Sequence, residues 1–104
     1  MIRSGGENVY PAEIEMIITS HDDIVDAAVV GVPDDRYTEV GAAIVVAGEG
    51  RDLDVDELRE YLLERIAKFK VPRYFRVVDE LPRNANGKVQ KTVLRERYRD
   101  VGVS

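Results

Sequence analysis

The stretch IVDAAVVGVPDDRYTEVGAAIVVA, residues 24–47, contains two apolar runs separated by a polar turn. Ile24 to Val32 is rich in valine and alanine, carries Asp26 as its only charge, and ends at Pro33-Asp34-Asp35. Val40 to Ala47 is a second such run, closed by Gly48-Glu49-Gly50. Short β-branched runs bounded by turn residues predict strands, and runs this apolar predict mostly buried ones. The rest of the chain therefore has to cover a small sheet.

Upstream, Pro11 opens a helix that runs to about Thr19, with Ile14, Ile17 and Ile18 on one face and Glu13 and Glu15 favouring its N-terminal end. Residues 2–10 read as a short two-stranded unit interrupted by Gly5-Gly6. His21 stands beside Asp22 and Asp23 in a predicted turn, which makes it an ordinary surface residue. Downstream, Asp54 with Glu57 three residues later predicts a helix start of the capping-box kind. That helix is expected to reach Lys68 or Phe69, because Pro72 disfavours helical geometry in the residue before it. Tyr74 to Val78 predicts a third strand, and a loop through Asn86-Gly87 leads to a final helix near Lys91–Arg99. Strands and helices mix without a clean βαβ repeat, so the fold class is α+β: a small mixed sheet covered by helices, with a short N-terminal two-stranded unit.

The 104 residues suit one domain, and no apolar run is long enough to span a bilayer. The absence of cysteine excludes a disulfide framework, a thiolate zinc site and a cysteine nucleophile within this sequence. With His21 alone, a Ser-His-Asp triad has no support, and no metal site is expected. Charge is unevenly spread. Residues 1–67 hold five basic against sixteen acidic residues, whereas Lys68 to Arg99 holds ten basic against three acidic. The second half is therefore suited to meeting an anion such as a nucleotide phosphate, or is simply a solvated basic surface.

Two segments stand out chemically. The first is Ser4-Gly5-Gly6-Glu7-Asn8-Val9-Tyr10-Pro11. A glycine pair in an extended stretch marks either a bulge or hairpin, or a place where another molecule passes close to the backbone. The second is Pro82-Arg83-Asn84-Ala85-Asn86-Gly87-Lys88. Asn-Gly signals a tight turn, and a lysine at the tip of a stiff loop can be pushed into a site on another domain, where its compact charge suits a phosphate or carboxylate oxygen.

Taken together, SGGENVYPAEIE, GVPDDRYTEVGAAIVV, AKFKVPRYFRVVDELPR and NGKVQKTVLRERY resemble, in order and with fitting gaps over residues 2–98, the C-terminal domain of acyl-CoA and aryl-CoA synthetases. These belong to the adenylate-forming family that includes firefly luciferase and peptide-synthetase adenylation domains. Tyr37-Thr38 departs from the Trp-Gly of many relatives, where a surface turn is expected.

The resemblance implies a two-step reaction in which a carboxylate attacks the α-phosphate of ATP, giving acyl-adenylate and pyrophosphate, and the thiol of CoA then displaces AMP. It also implies that this domain rotates between the steps. Lys88 matches the lysine that engages carboxylate and α-phosphate oxygens in the first step. Ser4, Gly5, Gly6 and Glu7 match the strand lining the pantetheine tunnel in the second. Phe69 and Arg73 fall where some relatives contact the CoA nucleotide, although Phe69 could equally be the core-facing end of the second long helix. By the same resemblance, residues 1–104 are the lid domain cut just after the hinge, and the partner is an N-terminal adenylating domain. ATP with Mg2+, CoA and a carboxylic acid are ligands of the parent enzyme, the protein is cytoplasmic, and the isolated chain is inactive.

Two other classes compete with this one. A free-standing, non-catalytic binding module with the same fold would lack an adenylating domain in its reading frame. A nucleic-acid binder would use the basic segment Lys68–Arg99, but the acidic first half repels a polyanion and no nucleic-acid motif is present, so no nucleic acid is expected as partner.

Overall fold

A computed structural model of the chain describes residues 1–4, 7–35 and 39–100. In chain order the elements are β1 (Ile2–Ser4), β2 (Glu7–Val9), α1 (Pro11–Thr19), β3 (Ile24–Pro33), β4 (Glu39–Ala47), α2 (Val55–Leu63), a 3₁₀ turn (Lys68–Lys70), β5 (Tyr74–Val77) and α3 (Lys91–Tyr98). β1 and β2 form an antiparallel pair with Ser4 opposite Glu7. The main sheet has the order β3-β4-β5, with β3 antiparallel and β5 parallel to β4. The α+β class and the mixed sheet are as expected from the sequence.

Both faces of the sheet are covered, which is why its strands read as continuous apolar runs rather than alternating ones. Ala27, Val29, Ala43 and Val45 pack with Ile14 and Ile18 of α1 and Leu58 and Leu62 of α2. Their neighbours in the strands, Ala28, Val30, Ala42 and Ile44, face the opposite way, against Leu94 of α3 and Leu81 from the segment after β5. Burying each large aliphatic side chain contributes about 1.5–3 kcal/mol before the entropy of ordering it is counted.

Two of the helix starts have a local cause. Pro11 lies at the first position of α1, where its missing N–H costs nothing. Asp54 caps α2, its Oδ1 accepting from the amides of Asp56 at 2.9 Å and Glu57 at 3.3 Å. The Glu57 carboxylate turns towards His21 Nε2, 3.8 Å away. Asp54→Ala should therefore lower the stability of the domain by about 1 kcal/mol, the usual cost of losing an acidic N-cap. Thermal unfolding measures it, and an unchanged midpoint would show that the cap contributes nothing.

Two expectations need correction. α2 stops at Leu63, short of the Lys68 or Phe69 expected. The Arg65 and Ile66 amides both donate to the Leu62 carbonyl, and Ala67 is extended, at ψ 145°. Ile66 then packs against the core from outside the helix. His21 is also not a surface residue, for it is only 8% exposed. Its ring meets Tyr61 of α2 edge-on at 4.8 Å, and its Nδ1 accepts from the Asp23 amide at 3.1 Å. Spaced seven and three residues from Ile14 and Ile18, it lies on the buried face of α1's continuation.

The β1–β2 unit is fastened near the turn between β3 and β4. The Arg3 amide donates to Glu39 Oε1 at 3.0 Å. Glu39 folds its carboxylate directly over Gly31, where an added Cβ would lie 2.6 Å from Glu39 Cδ. Any larger residue at that position would displace this link.

Candidate functional site

Lys88 sits on a loop whose backbone is closed by side chains. Asn84 Oδ1 accepts from the amides of Asn86 at 2.9 Å and Lys88 at 3.1 Å, while the Asn84 amide donates to the Lys88 carbonyl at 2.9 Å. Gly87 takes φ +82°, a conformation that disfavours residues with a Cβ, and its amide donates to the Asn84 carbonyl at 2.9 Å. Arg83 and Val89 form an antiparallel bridge, and the Gln90 amide donates to the Pro82 carbonyl at 2.8 Å. The peptide groups on both sides of Lys88 are thus fixed. Its side chain is exposed and has no acidic partner among the described residues.

Such a tip delivers one positive charge at a defined place without paying to break an ion pair first. Lys91, the first residue of α3, differs: its Nζ lies 2.6 Å from Glu15 Oε2, which also accepts from the Val29 amide at 2.8 Å. This bridge closes the outer edge of β3 between α1 on one face and α3 on the other. Lys91 is consequently structural as well as outside the loop.

At the other end of the sheet lies a cleft of about 840 Å³, bordered by Val9 of β2, Gly41 of β4, Arg59 of α2, Phe69, Lys70 and Arg73. The 3₁₀ turn carrying Phe69 is anchored by Lys70 Nζ on Glu13 Oε1 at 3.0 Å. Phe69 is 43% exposed, so it is not a core-facing helix end. The Arg73 amide donates to the Gly41 carbonyl at 2.9 Å, and its Nε lies 3.8 Å from the buried carboxylate of Asp34. Asp34 in turn accepts from the Tyr74 hydroxyl at 2.9 Å. An exposed ring beside several cations and an apolar wall can accept a flat aromatic group next to a phosphate.

Of the residues singled out in the sequence, Phe69 and Arg73 share this cleft, and β2 reaches it through Val9. Ser4 and Glu7 face each other in the ladder, their side chains outside the description, and Gly5 and Gly6 lie outside the described residues. Lys88 is elsewhere. Its loop is tied to Asp26 through Arg83, and Asp26 pairs in register with Val46. Along β4, Val46 is five residues from Gly41, roughly 17 Å of extended strand. Sequence reasoning missed Asn84, Arg83 and Asp26 as loop organisers, although an asparagine two residues before another polar turn position is a recognisable Asx-turn signal.

The sequence and the fold recur in known proteins. The model of the AMP-binding enzyme C-terminal domain matches residues 13–88. The chain belongs to that family. Over 96 residues it is 54% identical to a (7a-methyl-1,5-dioxo-octahydro-1H-inden-4-yl)propanoyl:CoA ligase of Rhodococcus jostii, covering 92% of this chain and 19% of that protein. It is 46% identical over 98 residues to the long-chain-fatty-acid–CoA ligase FadD13 of Mycobacterium tuberculosis, covering 94% and 19%. Among solved structures, ATP-bound MatB from Rhodopseudomonas palustris superposes with a TM-score of 0.94 at 44% identity, over 97% of this chain and 20% of that one. This member of the AMP-binding C-terminal family therefore spans about a fifth of the length of the curated relatives it matches. No helix among its described residues is long and apolar enough to cross a membrane.

Proposed function

We propose that the chain acts as the mobile C-terminal lid of a cytoplasmic acyl-CoA ligase, serving the formation of an acyl-adenylate with its Lys88 end and the formation of the thioester with its β1–β2 and Phe69 end. The observation that carries this reading is the separation, on one small domain, of a rigid lysine tip with no acidic partner among the described residues from a cationic cleft. Two chemically distinct ends on one body suit a domain that reorients between two half-reactions. In the first, Lys88 Nζ offsets the repulsion between the substrate carboxylate and the α-phosphate and follows the charge that grows at phosphorus, an electrostatic contribution. In the second, Ser4, Gly5, Gly6 and Glu7 border the pantetheine arm, with Phe69 against the adenine and Arg73 near a phosphate.

ATP, CoA and the carboxylic acid are substrates of the parent enzyme, and an N-terminal adenylating domain is the partner. The Mg2+ that accompanies ATP finds no group of three carboxylate, histidine or cysteine side chains among the described residues, so its ligands would come from the partner domain and from the phosphates. The sites for nucleotide and acyl group would likewise be supplied by that domain. The isolated 104-residue chain should accordingly fold yet catalyse no ATP–pyrophosphate exchange with any carboxylic acid. Exchange by the isolated chain would overturn the division of labour. Assay of a full-length parent against a panel of carboxylic acids then defines the acyl substrate.

A further inference from the structure

β3 carries a single charge, Asp26, in an otherwise apolar strand. The proposed function leaves it unexplained. A bulge precedes it, because Ile24 pairs with Ala47 while Asp26 pairs with Val46, leaving Val25 as the extra residue. Bulges re-aim the side chains that follow them. Here the carboxylate is aimed along the outer edge of the sheet. Its Oδ1 accepts from the Ala27 amide at 3.0 Å, and its Oδ2 accepts from the guanidinium of Arg83. The second terminal nitrogen of the same guanidinium donates to the carbonyl of Gly87 at 2.6 Å, the peptide group immediately before Lys88.

We propose that Asp26 and Arg83 are positioning residues for Lys88: they connect the peptide preceding the lysine to the rigid edge of β3, so that Nζ arrives at the reacting oxygens in one place. The proposal rests on the assignment of Lys88 to the adenylation step. Arg83 is suited to this because its planar fork can hold a carboxylate and a carbonyl at once, which a lysine at that position cannot reproduce. Asn84 fixes the shape of the loop from within, and Arg83 adds an ionic tie to the sheet at this end, beside the packing of Leu81 and Val89. The Lys91–Glu15 bridge ties the far side of the segment to the same edge. With Arg83 and Asp26 both part-exposed, the pair adds little to global stability. Its consequence is geometric, and a misplacement of about 1 Å at a reacting centre can cost up to about a hundredfold in rate.

The test is made in the full-length parent with Asp26→Asn, Asp26→Glu, Arg83→Lys, Lys88→Ala and the double variant Asp26→Asn/Lys88→Ala. Asp26→Asn and Arg83→Lys should lower kcat for ATP–pyrophosphate exchange by up to about a hundredfold. The KM for ATP, the melting temperature and thioester formation from supplied acyl-adenylate should stay near their original values. Asp26→Glu should recover part of the loss. Because the effect acts through the lysine, adding Asp26→Asn to Lys88→Ala should cost nothing further. Equal losses in both half-reactions, or a full additional loss in the Lys88→Ala background, would make the pair merely structural. If Lys88→Ala slows exchange but Asp26→Asn and Arg83→Lys do not, positioning alone is refuted. If Lys88→Ala spares exchange, the assignment of the lysine falls and the positioning role falls with it.

Discussion

Replacing Lys88 by alanine in the full-length parent should slow adenylation by roughly 10²–10³, the scale for removing one positioned electrostatic donor. The magnitude follows from where the lysine sits. Its neighbouring peptides are fixed by Asn84 and Arg83, so in the proposed role its charge would reach the transition state with little reorganisation, and no acidic side chain among the described residues competes for it. The exposed side chain makes no packing contribution to either core, so the variant should fold like the parent. ATP–pyrophosphate exchange reads the effect. A loss under tenfold would mean that the lysine supplies no more than a weak surface charge. Lys91→Ala is a poor control for this experiment, since it opens the bridge to Glu15 across the β3 edge, and its melting temperature must be recorded beside its rate.

The second large effect is expected at the opposite end. Gly6→Leu places a side chain in the path proposed for the pantetheine arm, and tightly filled sites tolerate added volume at a cost of about 1–3 kcal/mol. That is roughly a five- to more than hundredfold loss in CoA-dependent consumption of acyl-adenylate. Adenylation should be spared, because the β1–β2 unit is fastened to the sheet near Glu39 and Gly31 and not near the Asp26 end that holds the Lys88 loop. If the glycine serves only the local backbone, leucine lowers the melting temperature and both half-reactions together.

The strands, α1 and α3 were legible because their signals are local: β-branched runs bounded by Pro33 and Gly48, a proline at the first position of α1, and an isoleucine face. The end of α2 was not. Ile66 continues the spacing of Leu58 and Leu62, so the pattern reads on as helix, whereas the helix ends at Leu63 and Ile66 packs on the core from the turn that follows. His21 was misjudged for the converse reason. The neighbouring aspartates signal a solvated turn, but the partner that buries the imidazole, Tyr61, lies 40 residues away on α2. The lysine tip and the glycine pair were recognisable as segments from sequence. What fixes the tip was not, because Asp26 and Arg83 are 57 residues apart and meet only once α3 and its loop have packed on the sheet.

The central claim, that opposite ends of one domain serve successive chemical steps, is tested most directly by single-turnover measurement of both half-reactions in the full-length parent carrying Lys88→Ala or Gly6→Leu. The result expected is a crossed pattern: Lys88→Ala slows adenylation and leaves acyl transfer from supplied acyl-adenylate to CoA intact, while Gly6→Leu does the reverse. Parallel losses in both half-reactions for either variant would contradict it.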